Sequence, residues 1–183
     1  MNLNSNTHET ANKRIDVVFI YPPWAVLSGR VTLQNSLPPL GILSMASYLE
    51  SLNFSVVVYD IHGEGIDEIE VRHRLRRDRP RFVGISVLTS MAIPSQKIAK
   101  ICKEEVANCI VVVGGAYAEA MPEKMLRNSA IAGVVRGDGE EPMRQIVEGH
   151  PFSEIDGLSF RTGKIIQHNK PSEGNMDLDK YPF

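Results

Sequence analysis

Thiols are scarce. Among 183 residues only Cys102 and Cys109 carry one, too few for a disulfide framework and too few for an iron-sulfur cluster, which takes four thiolates or three with an open iron. An apolar leader is lacking too. Residues 1–13 are polar, with Asn2, Asn4, Ser5, Asn6, Thr7, His8, Glu9 and Thr10 in succession, which fits neither a secretory signal nor a membrane anchor and sets the expectation of a cytoplasmic chain. No excess of either charge exists: 20 Lys and Arg against 22 Asp and Glu leave a net charge of −2. That balance argues against a protein built mainly to hold nucleic acid or anionic lipid. The remaining composition, 43% hydrophobic and 23% charged, is that of a folded globular chain, and the length suits one domain with one core.

What is present is an alternation of short β-branched runs with helical patterns. Residues 15–21 read as a strand buried on both faces and stopped by Pro22-Pro23. A long loop follows over 22–37, and Pro38-Pro39 opens a helix in which Ile42, Met45, Ala46 and Leu49 recur at helical spacing. Residues 54–59 predict a second strand, 60–65 a loop rich in turn formers, and Ile66, Ile69 and Leu75 mark a more polar helix. Three further strands are expected at 82–87, 110–113 and 132–135, with helices at 92–106 and 140–148 and a short helix carrying Met121, Met125 and Leu126. Strands alternating with helices predict an α/β fold, a doubly wound, Rossmann-like five-stranded parallel sheet of flavodoxin-like order 2-1-3-4-5. Its ligand crevice should lie at the carboxyl ends of strands one and three. Residues 157–160 and 164–166 flank Arg161-Thr162-Gly163 as a small hairpin. The expected organisation is a tail at 1–13, an α/β domain at 14–150, and a hairpin and linker at 151–183.

Two frequent occupants of such a crevice are disfavoured. Dinucleotide binding wants G-x-G-x-x-G after strand one, where Tyr21-Pro22-Pro23-Trp24 stands. A phosphoacceptor receiver wants acidic residues after strands one and three, where Pro22 and Ser86 stand. The loops are instead small and uncharged, Ser86-Val87-Leu88-Thr89 and Gly114-Gly115-Ala116-Tyr117, or glycine-rich, Gly137-Asp138-Gly139-Glu140-Glu141. Small residues let a large flat ligand lie near the sheet edge, and hydroxyls with helix-start N–H groups suit amides or a single phosphate. Paired glycines serving only a tight turn are the plainer reading of Gly114-Gly115.

Several segments carry a resemblance. Tyr-Pro-Pro after strand one, Leu37-Pro38-Pro39-Leu40-Gly41, Val83-Gly84-Ile85-Ser86, Val112-Val113-Gly114-Gly115, Val134-Val135-Arg136-Gly137-Asp138-Gly139-Glu140-Glu141 and Leu178-Asp179-Lys180-Tyr181-Pro182-Phe183 together resemble the N-terminal cobalamin-binding domain of cobalamin-dependent radical S-adenosylmethionine enzymes. The resemblance spans about residues 14 to 183. It implies cobalamin, a cobalt corrinoid, over the carboxyl edge of the sheet, with Pro22, Pro23, Leu37, Pro38, Ser86, Leu88, Thr89, Gly114, Gly115 and Tyr117 as candidate lining residues. It also implies that the iron-sulfur cluster and S-adenosylmethionine belong to a following barrel, in cis or in trans, whose C-x-x-x-C-x-x-C motif this sequence lacks. The module is then not catalytic alone. It presents the corrinoid for methyl transfer or a related radical reaction. The alternative is a regulatory or interaction domain that keeps the fold and binds another small ligand or none.

Asp60-Ile61-His62-Gly63-Glu64-Gly65 matches D-x-H-x-x-G, by which the methionine-synthase type of cobalamin domain supplies a lower cobalt ligand. In that type the motif follows strand one, whereas here it follows strand two, which order 2-1-3-4-5 puts at the sheet edge. Two readings of His62 therefore stand open, cobalt ligand and loop-bracing residue. Arg72, Arg74, Arg76, Arg77, Arg79 and Arg81 are interleaved with Asp67, Glu68, Glu70 and Asp78, as on a solvated face, with docking of a catalytic barrel or RNA as the other reading. Cys102 and Cys109 read as packing residues.

Overall fold

The computed structural model describes residues 14–24 and 38–172. Five parallel strands form the centre: β1 (Val17–Tyr21), β2 (Val56–Asp60), β3 (Phe82–Ser86), β4 (Ile110–Gly114) and β5 (Gly133–Val135). Their order is β2-β1-β3-β4-β5, so the chain reverses its winding between β1 and β3 as expected. The hairpin, β6 (Leu158–Thr162) and β7 (Ile165–His168), is no appendage: β6 pairs antiparallel with β5 and lengthens the same sheet to seven strands.

Because successive side chains of a strand point to opposite faces, each central strand contributes to two cores. On one face Val18, Ile20, Val83, Ile85, Val111 and Val113 pack beneath α3 (Glu68–Asp78) and α4 (Ala92–Glu105). On the other, Val17, Phe19, Phe82 and Val112 pack beneath α1 (Leu40–Ser51) and α7 (Glu140–Glu148). Single-turn α2 (Ile61–Glu64) follows β2, and α5 (Ala116–Ala120) and α6 (Pro122–Leu126) follow β4. Among the described residues no helix is long and apolar enough to cross a membrane.

Three local expectations are corrected. The 60–65 segment is helical for one turn rather than wholly loop, because the Asp60 carboxylate accepts the Gly63 N–H at 2.7 Å and Gly65 closes the turn in a left-handed conformation. Ile69 is 77% exposed, and α3 instead buries Val71 and Leu75, one helical turn apart on a single face. Met121 lies at the break between α5 and α6 and is 47% exposed, leaving Met125 and Leu126 to reach the core.

The arginine-rich helix is consumed by ion pairs. Arg72 meets Glu68, Glu104 and Glu105, Arg74 meets Glu64 and Glu70, and Arg76 meets Glu105. At its end the buried Asp78 accepts from the Tyr59 hydroxyl at 2.7 Å and from Arg77 at 2.7 and 2.9 Å, tying edge strand β2 to α3. Burial raises the Asp78 pKa, and the bonds from Arg77 and Tyr59 outweigh it, so the carboxyl sits below the usual carboxylate range. A depressed folded-state pKa contributes stability above the unfolded value, near 3.9, that is lost as pH falls through the folded value. Asp78→Asn is therefore expected to cost about 1–3 kcal/mol at neutral pH and to flatten the acid limb of stability, as urea unfolding across pH 3–7 reads directly. An unchanged acid limb would show that this carboxylate is not held in its ionised form.

Candidate functional site

The strand registers align Phe19 of β1 with Gly84 of β3, and Gly84 with Val112 of β4, in one row across the α1/α7 face of the sheet. The next row toward the carboxyl ends holds Ser86 opposite Gly114. Glycine thus occupies diagonal positions in two adjacent central strands, on the face where α1 and α7 rest. A glycine inside a strand weakens it and marks a close approach of something else. At Gly84 the Phe19 ring takes up the missing side chain's place, whereas Gly114 leaves its place open, and a slot of about 500 Å³ lies here between sheet and helices at the carboxyl rim.

The slot has a dry end and a polar mouth. Phe19, Gly84 and Val112 line it on the sheet side, Ile42 and Met45 of α1 line the helix side, and Met143 of α7, whose methyl would stand 3.8 Å from a Cβ on Gly84, closes it between them. The Phe19 ring lies against the Gly84 backbone, since a Cβ on Gly84 would stand 2.6 Å from that ring. Around the mouth lie Pro38, Ser86, Leu88, Gly114, Gly115, Asp138 and Glu140. The two covering helices are joined at the mouth, where the Ser44 hydroxyl donates to Glu140 at 3.0 Å and the Tyr48 hydroxyl to Glu141 at 3.4 Å. Arg144 beside Glu141 holds that carboxyl below the ordinary range, so it remains an ionised acceptor. At Gly139 a Cβ would collide with the Met45 thioether, so glycine there lets the β5–α7 loop close over α1.

Of the residues expected at the site, Pro38, Ser86, Leu88, Gly114 and Gly115 line the slot. Pro22, Pro23, Thr89 and Tyr117 are not among its lining residues. Tyr117 supports the rim from behind, its N–H donating to Val87 C=O at 3.0 Å. Leu37 lies outside the described residues. His62 sits on α2 after the edge strand, 8% exposed, its ring stacked on Trp24 with centroids 5.1 Å apart and planes 2° from parallel. Its buried Nδ1 has no hydrogen-bond partner among the described residues. The slot's interior, Phe19, Met45, Gly84, Val112 and Met143, was not among the sequence candidates. A mid-strand glycine in Val83-Gly84-Ile85 was the available signal, and only the register reveals that the Phe19 ring packs onto it.

Among the described residues no three His, Cys, Asp or Glu side chains gather as a metal site. The polar side chains that the described residues place on the slot wall are Tyr21, Ser86, Asp138 and Glu140, a set that can position a ligand and holds no activated nucleophile beside a base. A doubly wound sheet with an apolar slot beneath its carboxyl rim defines a small-molecule binding module.

The chain belongs to the B12 binding domain family, whose model matches residues 28–147, well over half of the sequence. An uncharacterized methyltransferase of Pyrococcus horikoshii is 27% identical over 176 residues, covering 93% of this chain and 38% of that protein. An anaerobic magnesium-protoporphyrin IX monomethyl ester cyclase of Rubrivivax gelatinosus is 27% identical over 176 residues, covering 90% of this chain and 31% of its own length. The chain therefore spans about a third of these curated relatives. In fold it resembles TsrM of Kitasatospora setae, a radical S-adenosylmethionine methyltransferase whose structure holds cobalamin and a 4Fe-4S cluster, with a TM-score of 0.71 and 20% identity over 92% of this chain and 31% of that one. It also resembles OxsB, a cobalamin-dependent S-adenosylmethionine radical enzyme with aqua-cobalamin bound, with a TM-score of 0.75 and 17% identity over 92% of this chain and 24% of that one.

Proposed function

We propose that this chain holds cobalamin as the corrinoid-presenting module of a radical S-adenosylmethionine enzyme. The observation that carries the proposal is the slot beneath the rim, left open at Gly114 in the middle of a B12 binding fold. The residues suit the cofactor in both parts. The slot is apolar where an aromatic base on the nucleotide arm would lie. Its mouth offers Ser86, Asp138 and Glu140 to the amide groups that fringe the corrin. Sequence reasoning put the whole ligand above the sheet edge; the geometry supports a corrin at the rim and its arm below.

When bound, the cobalt corrin supplies the methyl-transfer or radical chemistry, and the protein binds, orients and shields it. Gly114 and Gly115 let the ligand approach backbone, Ser86 and Glu140 present oxygens at the mouth, and Phe19 and Met143 exclude water from the arm. Iron-sulfur and S-adenosylmethionine chemistry are assigned to a partner domain, in line with the relatives' threefold greater length. Methyl transfer is the reading favoured by the methyltransferase among those relatives.

An arm lodged in the slot keeps its base away from cobalt, and His62, packed on Trp24 away from the slot lining, is assigned to bracing the edge of the sheet. The reduced cobalt(II) complex is then expected to show an electron spin resonance spectrum without axial nitrogen splitting, identical in wild type and His62→Ala. Splitting present in wild type and lost in His62→Ala would make His62 the lower ligand. Splitting that survives His62→Ala would place the corrinoid's own base on cobalt and its arm outside the slot. Binding itself is tested by mixing the chain with hydroxocobalamin and desalting: about one corrinoid per chain is expected in the visible spectrum, and colourless protein would overturn the proposal.

A further inference from the structure

The two ends of the slot differ in chemistry, and that difference has a consequence for which corrinoid the chain accepts. In the interior, every side chain contributed by Phe19, Ile42, Met45, Val112 and Met143 lacks oxygen and nitrogen. The backbone is equally unavailable. Phe19, Gly84 and Val112 belong to central strands paired on both sides, and the Met143 N–H is spent on Gly139 C=O. The polar side chains of the lining, Tyr21, Ser86, Asp138 and Glu140, come from the carboxyl ends of β1 and β3, the β5–α7 loop and the start of α7, at the mouth. Among the described residues, a ligand group that enters the interior therefore finds no hydrogen bond to replace the one it leaves in water.

From this we infer that the chain selects corrinoids by the base on their nucleotide arm, accepting an apolar fused aromatic base such as dimethylbenzimidazole and rejecting a purine. The inference rests on the arm entering the slot, as proposed above. Adenine carries additional ring nitrogens and an exocyclic amine that would be stranded against Val112 and the two thioethers. The methyl groups of dimethylbenzimidazole instead meet surfaces that reward apolar contact. Methionine sulfur is soft and packs well on aromatic rings, so Met45 and Met143 can close on a bicycle of this size. The nitrogen common to both bases must leave cobalt in either corrinoid, so the affinities are compared after correction for each free corrinoid's own base-on to base-off equilibrium, which acid titration of its visible spectrum measures. Burial of unpaired polar atoms sets the expected preference at about 10- to 100-fold.

The test is a titration of the 183-residue chain, followed by visible absorption, with hydroxocobalamin, with its counterpart bearing adenine as lower base, and with cobinamide, which has the same corrin and no nucleotide. Hydroxocobalamin is expected to bind at least about tenfold more tightly than the adenine form and more tightly than cobinamide. Met143→Gln, which sets an amide in the dry end at similar volume, is expected to narrow the gap between the two bases. Equal affinity for the two bases, with cobinamide weaker, would overturn base selection and leave the slot as the arm's site. Equal affinity for all three would remove the arm from the slot and the selection with it. Failure of all three to bind would overturn the corrinoid reading itself. The wild-type comparison decides the matter even if Met143→Gln does not fold.

Discussion

Gly114→Leu is expected to weaken cobalamin binding by about a hundredfold or more while leaving the protein folded, with a stability change inside about 1 kcal/mol. The separation of the two effects follows from the position. Gly114 ends β4 with ordinary backbone angles, and a Cβ there would meet only Val135, at 3.7 Å, an ordinary contact. The side chain has room, and the room it enters is the mouth of the slot, between Ser86 and the helices. A leucine there occupies the volume that the ligand needs. Its methyl groups also replace the close approach to backbone that glycine permits. Equilibrium titration with hydroxocobalamin, alongside urea unfolding of the unliganded protein, measures both halves. Retained affinity in a folded Gly114→Leu protein would show that the ligand does not pass this point.

Gly115→Ala, one residue further on, is expected to act in the opposite way, destabilising the unliganded fold by about 1–3 kcal/mol. Gly115 has φ 94° and ψ 168°, a conformation that side chains oppose, and its Cβ would stand 3.2 Å from both the N and the O of Val87. That backbone cannot retreat cheaply. Val87 N–H donates to Gly114 C=O at 2.8 Å, and Val87 C=O accepts from Tyr117 N–H at 3.0 Å, so the loops after β3 and β4 are stitched together at this point. Strain at Gly115 therefore spreads to Ser86 and Leu88 on the rim. Thermal unfolding checks the expectation, and a midpoint equal to wild type would show that the stitch is looser than its geometry implies.

The contrast between these neighbouring glycines bears on how much of the molecule could be read beforehand. The central strands were legible because runs such as Val111-Val112-Val113 are buried on both faces, and the order of the first five strands followed from alternation with helices and the handedness of crossovers. The rim was legible through its loops, since Ser86 and the glycine pair stand where strands end. The interior was not, because it depends on register and on helix pairing at long range. Met45 meets Gly139 and Ser44 meets Glu140 across nearly a hundred residues, and no local pattern announces either contact. Ile69 misled for a related reason: it lies about 200° around the helix from Val71, and apolar character alone does not say which of two such residues faces the sheet. His62 shows the limit of a motif, as its spacing is local whereas its place beside the edge strand is set by the topology.

The most direct measurement is a crystal structure of the chain with hydroxocobalamin. The account predicts the base of the nucleotide arm in the apolar part of the slot, against Val112, Ile42 and Met45, with the corrin at the rim near Ser86 and Glu140. A base coordinated to cobalt, or an arm lying along the exterior with the slot closed by movement of α1 onto Phe19, would contradict it.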